Sequence, residues 1–171
     1  MLKLHNPEIE VDLNVFPNNV IQAVTVTLEA THPAFDGQAF PRQLKPEDPD
    51  PCIGVFPALW VPQQESLEMG RDPRFEPTLN TYGIVVQAMN KDSDKDVALA
   101  RHSTIARMVR NALYRSDPLR VLLSSLVASD GTTEERFRKM TLTSQRFLSN
   151  EIRGTFVFLS VLELSIETEI A

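Results

Sequence analysis

The stretch Tyr82-Gly83-Ile84-Val85-Val86-Gln87-Ala88-Met89 decides the fold. In an extended chain Tyr82, Ile84, Val86 and Ala88 point one way, and Gly83, Val85, Gln87 and Met89 the other. Both sides are largely apolar, which predicts a strand buried on one face and mostly on the other. Asn90 to Asp96 turn the chain. Beyond the turn Val97, Ala100, Ile105, Met108, Val109, Ala112 and Leu113 recur at three- and four-residue steps, the stripe of an amphipathic helix. Asp94 and Asp96 stand at its positive end and Arg115 at its negative end, as the helix dipole favours. Arg107, Arg110 and Asn111 lie off the stripe.

Downstream, Asp117-Pro118 restarts a short helix through Leu119, Leu122, Leu123 and Leu126, with proline at its tolerated first position. Ser129-Asp130-Gly131-Thr132 reads as a turn. Two strands close the chain. Phe137 to Leu148 is polar on much of both faces. In the last strand Phe156, Phe158, Leu162, Leu164 and Ile166 share one face, while the other passes from Val157, Leu159 and Val161 to Glu163, Ser165 and Glu167. That change predicts a strand covered on both sides at its start and emerging into water at its end. Asn150 to Gly154 joins the two strands as an antiparallel hairpin.

Upstream, Ile9-Glu10-Val11-Asp12-Leu13-Asn14-Val15 alternates like a strand or an extended arm, spanning residues 1–17 and interrupted by Pro17. Asn18-Asn19 suits the start of a helix through Val20, Ile21, Val24 and Leu28. The β-branched run Val24-Thr25-Val26-Thr27 suits a strand instead. Residues 33–77 are dense in proline, which removes donors and fixes φ, so no long helix or central strand fits there. Phe40 to Asp50 reads as an exposed loop, and Ile53 to Val61 as an irregular edge strand broken by Pro57 that Gln64 to Met69 could continue.

The 171 residues suit one domain of ordinary globular composition, 42% hydrophobic and 23% charged. A net charge of −6 argues against nucleic acid as the main partner, since phosphate binding needs a basic surface. Charge is nevertheless uneven: basic residues crowd positions 101–153 and the acidic excess sits at both ends, which reads as scattered solvated charge or, alternatively, suits head-to-tail packing of copies. The one cysteine, Cys52, cannot close a disulfide with a second cysteine of the same chain. No apolar stretch approaches the ~20 residues of a membrane-spanning helix, and residues 1–8 do not read as a secretory signal.

Catalytic and metal motifs are not evident. Asp92-Ser93-Asp94-Lys95-Asp96 begins like a calcium loop, but Val97 and Ser103 stand where glycine and glutamate are required, so a helix cap explains it better. His5, His32 and His102 share no ligand spacing, the glycines form no phosphate loop, and Ser103 and Ser124 sit in no nucleophile elbow. Glu163 and Glu167 on one strand face read as a solvated strand end rather than an acid–base pair. The arginines lack interleaved aromatics for stacking on bases, and arginine also favours protein interfaces.

Three segments together resemble the tail terminator proteins of long, non-contractile-tailed bacteriophages, the family typified by the terminator of phage lambda. They are Tyr82-Gly-Ile-Val-Val-Gln-Ala-Met-Asn-Lys-Asp, the helix ending Asn111-Ala-Leu-Tyr-Arg-Ser-Asp-Pro-Leu-Arg, and Thr143-Ser-Gln-Arg-Phe-Leu-Ser-Asn-Glu-Ile-Arg-Gly-Thr-Phe onward. The resemblance covers residues 82–170, extends less closely over 18–69, and favours helix over strand at Val20 to Leu28. It implies an α+β domain: a mixed, mostly antiparallel sheet packed on two main helices, in the order α-β-β-α-β-β. It also implies a structural virion protein at the tail–neck junction, assembled in the host cytoplasm, with no catalytic residue and no cofactor. Such proteins form a homohexameric ring on the head-proximal end of the tail tube, where they contact the tube protein and the head–tail connector or head-completion protein. Candidate interface residues are Arg107 and Arg110 on the helix, with Arg138, Lys139, Gln145, Arg146 and Phe147 on the penultimate strand; Glu163, Glu167 and Glu169 are their acidic counterparts. The proline-rich region and the first 17 residues depart from the compact family pattern. A head-side neck protein, a small enzyme or ligand-binding domain, and a nucleic-acid binder are the alternatives.

Overall fold

In the computed structural model residues 15–58, 78–129 and 134–170 are described. They form three helices, α1 (Asn18–Glu29), α2 (Lys95–Arg115) and α3 (Asp117–Ser124), and one six-stranded sheet. Its strands are β1 (Ala39–Phe40), β2 (Cys52–Pro57), β3 (Thr78–Asp92), β4 (Val127–Ser129), β5 (Glu134–Ile152) and β6 (Thr155–Ile170), in spatial order β1-β2-β3-β6-β5-β4. Only β1 and β2 run parallel. The class is the expected mixed α+β, mostly antiparallel. The order differs by two added strands: β1 and β4, two and three residues long, are too short to carry a period, while α3 is the short helix expected to restart at Asp117-Pro118.

α1 settles the choice between helix and strand at residues 20–28. Val20, Val24 and Leu28 are fully buried at four-residue steps. The threonines in the β-branched run bond backwards: Thr25 Oγ1 donates to the Ile21 carbonyl at 2.7 Å and Thr27 Oγ1 to that of Ala23 at 2.8 Å. Satisfied in this way, they cost the helix little. The expected cap is corrected, because Pro17 occupies the N-cap position and Asn19 points inward, its Oδ1 without a hydrogen-bond partner. The arm's last residues are also built in, since Phe16 is buried and stacks on Tyr82 with ring centroids 6.4 Å apart.

β3, β6 and β5 are the long strands, and their register sorts every side chain to a face. Ile84, Val86 and Ala88 of β3 stand beside Leu164, Leu162 and Ser160 of β6 on the face the helices cover. β3 begins before Tyr82 and runs through Asp92, so the turn into α2 is shorter than expected. Asp94 caps α2 by accepting from the amides of Asp96 and Val97, as the sequence suggested in place of a calcium loop. The buried stripe of α2 is Ala98, His102, Ile105, Val109 and Leu113, while Val97 and Ala100 are exposed. Leu122 of α3 is likewise exposed. The β5–β6 hairpin closes through Arg153 (φ 52°) and Gly154 (φ 78°), two successive left-handed residues of the kind a two-residue turn requires. Phe156 to Leu159 are only half-buried, so the start of the last strand projects past the helices instead of being covered on both sides.

Residues 41–50 do not form a free loop. They fold over the opposite face of β2 and β3. The Leu44 amide donates to Gln87 Oε1 at 3.0 Å, and Lys91 Nζ donates to the carbonyls of Pro46 and Asp48. Arg42 grips Asp48 with two 2.8 Å bonds, which holds the Asp48 carboxyl down to about 2. Beneath this strap lie Cys52, Gly54, Gln87 and Met89, all buried. β2 is flanked by β1 over Ile53 and Gly54, so it is not the edge that the prolines suggested. The expected continuation at 64–69 and the turn tip at 130–132 lie outside the described residues.

Candidate assembly surface

The residues singled out from sequence fall on separate surfaces. Arg107 and Arg110 are exposed on α2, where with Asn111, Tyr114 and Arg115 they line a shallow cavity of about 380 Å³. None of these three arginines has an ion pair among the described residues.

The others sit on the β5–β6 ribbon. Bulges between Phe137 and Lys139 and between Leu142 and Ser144 shift the alternation of β5. Lys139 and Arg146, with the bulged Arg138, therefore share the face away from the helices with Glu163, Glu167 and Glu169 of β6. Gln145 and Phe147 register with Leu162 and Ser160 on the helix side. Arg146 meets Glu163 at 3.0 Å and Arg138 meets Glu167 at 3.3 Å, so these basic residues and their acidic counterparts pair within one chain. Exposed pairs of this kind contribute at most about 1 kcal/mol and exchange partners readily. If these residues form an interface between copies, charge reversal at Arg138 or Arg146 is expected to weaken association severalfold with little change in melting temperature, read by sedimentation of wild type and variant side by side. Unchanged association would remove both from the interface.

The larger feature was missed in the sequence. β4 pairs with β5 only from Glu134 to Arg136. From Arg138 to Ile152 the far edge of β5 has no strand partner among the described residues. Beside its first half runs a groove of about 280 Å³, floored by Leu113, Leu119, Leu123, Phe137, Met140 and Leu142. Farther along, Phe147 is 62% and Leu148 50% exposed. An edge of this length, flanked by apolar side chains, is a template for another strand. The bulges had hidden it, because they break the strict alternation by which such an edge is recognised.

One polar cluster has catalytic geometry. His102 Nδ1 lies 2.5 Å from Asn90 Oδ1, and His102 Nε2 lies 2.6 Å from Ser160 Oγ. Asn90 Nδ2 donates to the Ala98 carbonyl, which leaves Oδ1 as acceptor and assigns the ring proton to Nδ1. Nε2 then accepts from the Ser160 hydroxyl, the relation by which an imidazole activates a nucleophile. Asn90 and Ser160, however, have no exposed surface, and the Phe147 and Phe158 rings flank His102 at 6.0 and 5.8 Å. An attacking oxygen needs its substrate about 3 Å away. Here the neighbouring space is filled, and the triad ties α2 to β3 and β6. Burial pushes the His102 imidazole below its ordinary pKa. Among the described residues no three His, Cys, Asp or Glu side chains gather as metal ligands.

A scan against protein-family models finds no match to this chain, and neither does a search of curated proteins.

Proposed function

We propose that this chain is a structural protein that assembles with itself into a ring at the head-proximal end of a phage tail tube and ends tube growth there. The observation that carries the reading is the edge of β5 from Arg138 to Ile152, without a strand partner among the described residues and beside an apolar groove, while Arg107, Arg110 and Arg115, without an ion pair among those residues, lie on a different surface, α2. One surface suits a neighbouring copy and the other an acidic partner above or below the ring. Heterologous contacts between identical copies close into a ring when their rotation allows it. The resemblance over residues 82–170 supplies the setting and the expected hexamer, with the tube protein and the head connector as partners.

The test is tail length. Virus lacking this chain is expected to make tails far longer than normal, seen in negative stain, and complementation restores their length. Normal-length tails left unjoined to heads would instead indicate a head-side neck component and overturn the terminator reading.

A further inference from the structure

The free edge of β5 poses a specific question of fit: which strand completes it. An added strand must turn apolar side chains toward the groove and acidic ones toward the opposite face. That face carries Lys139, Arg146 and the bulged Arg138 along β5, the last two already paired with Glu163 and Glu167 of β6. Lys139 has no ion pair among the described residues. The groove side offers Phe137, Met140, Leu142 and Phe147.

Within this chain Ile9-Glu10-Val11-Asp12-Leu13 has that character. Ile9, Val11 and Leu13 fall on one side of an extended chain and Glu10 and Asp12 on the other, with Glu8 continuing the acidic side. We propose that residues 9–13 of one copy add as a strand to the free edge of β5 in a neighbouring copy. Ile9, Val11 and Leu13 enter the groove beside Met140 and Leu142, and Glu10 and Asp12 face Lys139 and Arg146. Farther along the same edge Phe147 and Leu148 stand 62% and 50% exposed, which leaves room for a strand from a neighbouring copy. Main-chain hydrogen bonds supply the affinity, and the alternating side chains fix the register. The inference rests on the self-associating part of the functional reading and not on its viral setting.

The experiment uses the full chain. Sedimentation over a range of concentrations is expected to show an oligomer, and Val11→Asp is expected to weaken it at least tenfold while the thermal melt is unchanged. Glu10→Lys with Asp12→Lys should weaken it similarly, and Lys139→Glu with Arg146→Glu in the same chain should restore it. In a Cys52→Ser background, Val11→Cys is combined in turn with Met140→Cys, Leu142→Cys or Phe147→Cys and oxidised. A ladder of covalent oligomers in at least one pairing is expected, since bridged cysteines need Cα atoms about 6 Å apart. An intrachain disulfide in a monomer would overturn addition in trans. An oligomer indifferent to Val11→Asp would overturn the arm's role while leaving self-association intact. A chain monomeric at every concentration would remove both.

Discussion

Replacing His102 with alanine is expected to lower the unfolding free energy by about 3–5 kcal/mol, a large share of the roughly 5–15 kcal/mol by which a domain is usually stable. The estimate has two parts. Asn90 and Ser160 are fully buried and each loses its bond to the imidazole. A buried polar group left without a partner costs about 1–3 kcal/mol, and the vacated ring volume adds to it. Equilibrium denaturation of wild type and variant at neutral pH measures the difference. A cost below about 1 kcal/mol would mean that the cluster does not tie α2 to the sheet. Removing two of the three members separates the parts: His102→Leu combined with Ser160→Ala should cost less than His102→Ala alone, because only Asn90 Oδ1 is then left stranded.

The same side chain sets a pH dependence with a fixed sign. Burial places the folded pKa of His102 below its unfolded value of about 6.5. Between the two, the unfolded chain binds a proton that the folded chain refuses, so stability rises with pH. Wild type should therefore be most stable above about pH 6.5 and lose stability as the pH falls below it, down to the folded pKa. In His102→Ala this contribution disappears. His5 and His32 are common to both proteins and cancel in the comparison. A variant that retained the wild-type slope would assign the titration to another group.

The second large effect is expected at Gly54, where the chain passes under residues 41–50. A Cβ there would lie 2.6 Å from the Arg42 carbonyl oxygen and 2.8 Å from Leu44 Cγ. The first of these is backbone and cannot swing aside, so the strap must lift. Gly54→Ala is expected to cost about 1–3 kcal/mol, the range for forcing an extra methyl into a filled space. A local readout accompanies it. Cys52 lies under the same strap, fully buried, and burial pushes its thiol up to about 12. The wild-type thiol should resist labelling under native conditions, whereas in Gly54→Ala it should react well before global unfolding. If Cys52 stayed protected, the strap would not be the element that seals that face.

These two sites also show where the sequence stopped being readable. α2 was evident from its period, but its stripe was misassigned at one end, because the core-facing position in its second turn holds a histidine. Only Asn90 and Ser160, contributed by two strands distant in sequence, make that polar position belong inside. The prolines of residues 33–57 correctly excluded a long helix. They also suggested a solvated loop, whereas Arg42, Asp48 and Lys91 bind that segment to the sheet. Of the interface residues named from sequence, the ion pairs were visible as opposite charges but not as partners within one chain. Register alone made them so.

Local sequence determined the long elements. The two-faced apolar run of β3, the capped and amphipathic α2, and the Arg153-Gly154 turn of the β5–β6 hairpin follow from period and turn chemistry, which depend on neighbours a few residues away. Tertiary structure decided which surfaces are left over: the edge of β5 that no described strand pairs, the groove beside Met140 and Leu142, and the sealed histidine. Those depend on pairing across long separations and on two bulges, each of which moves every following side chain to the other face. A one-dimensional pattern does not record such shifts until the strands are laid side by side.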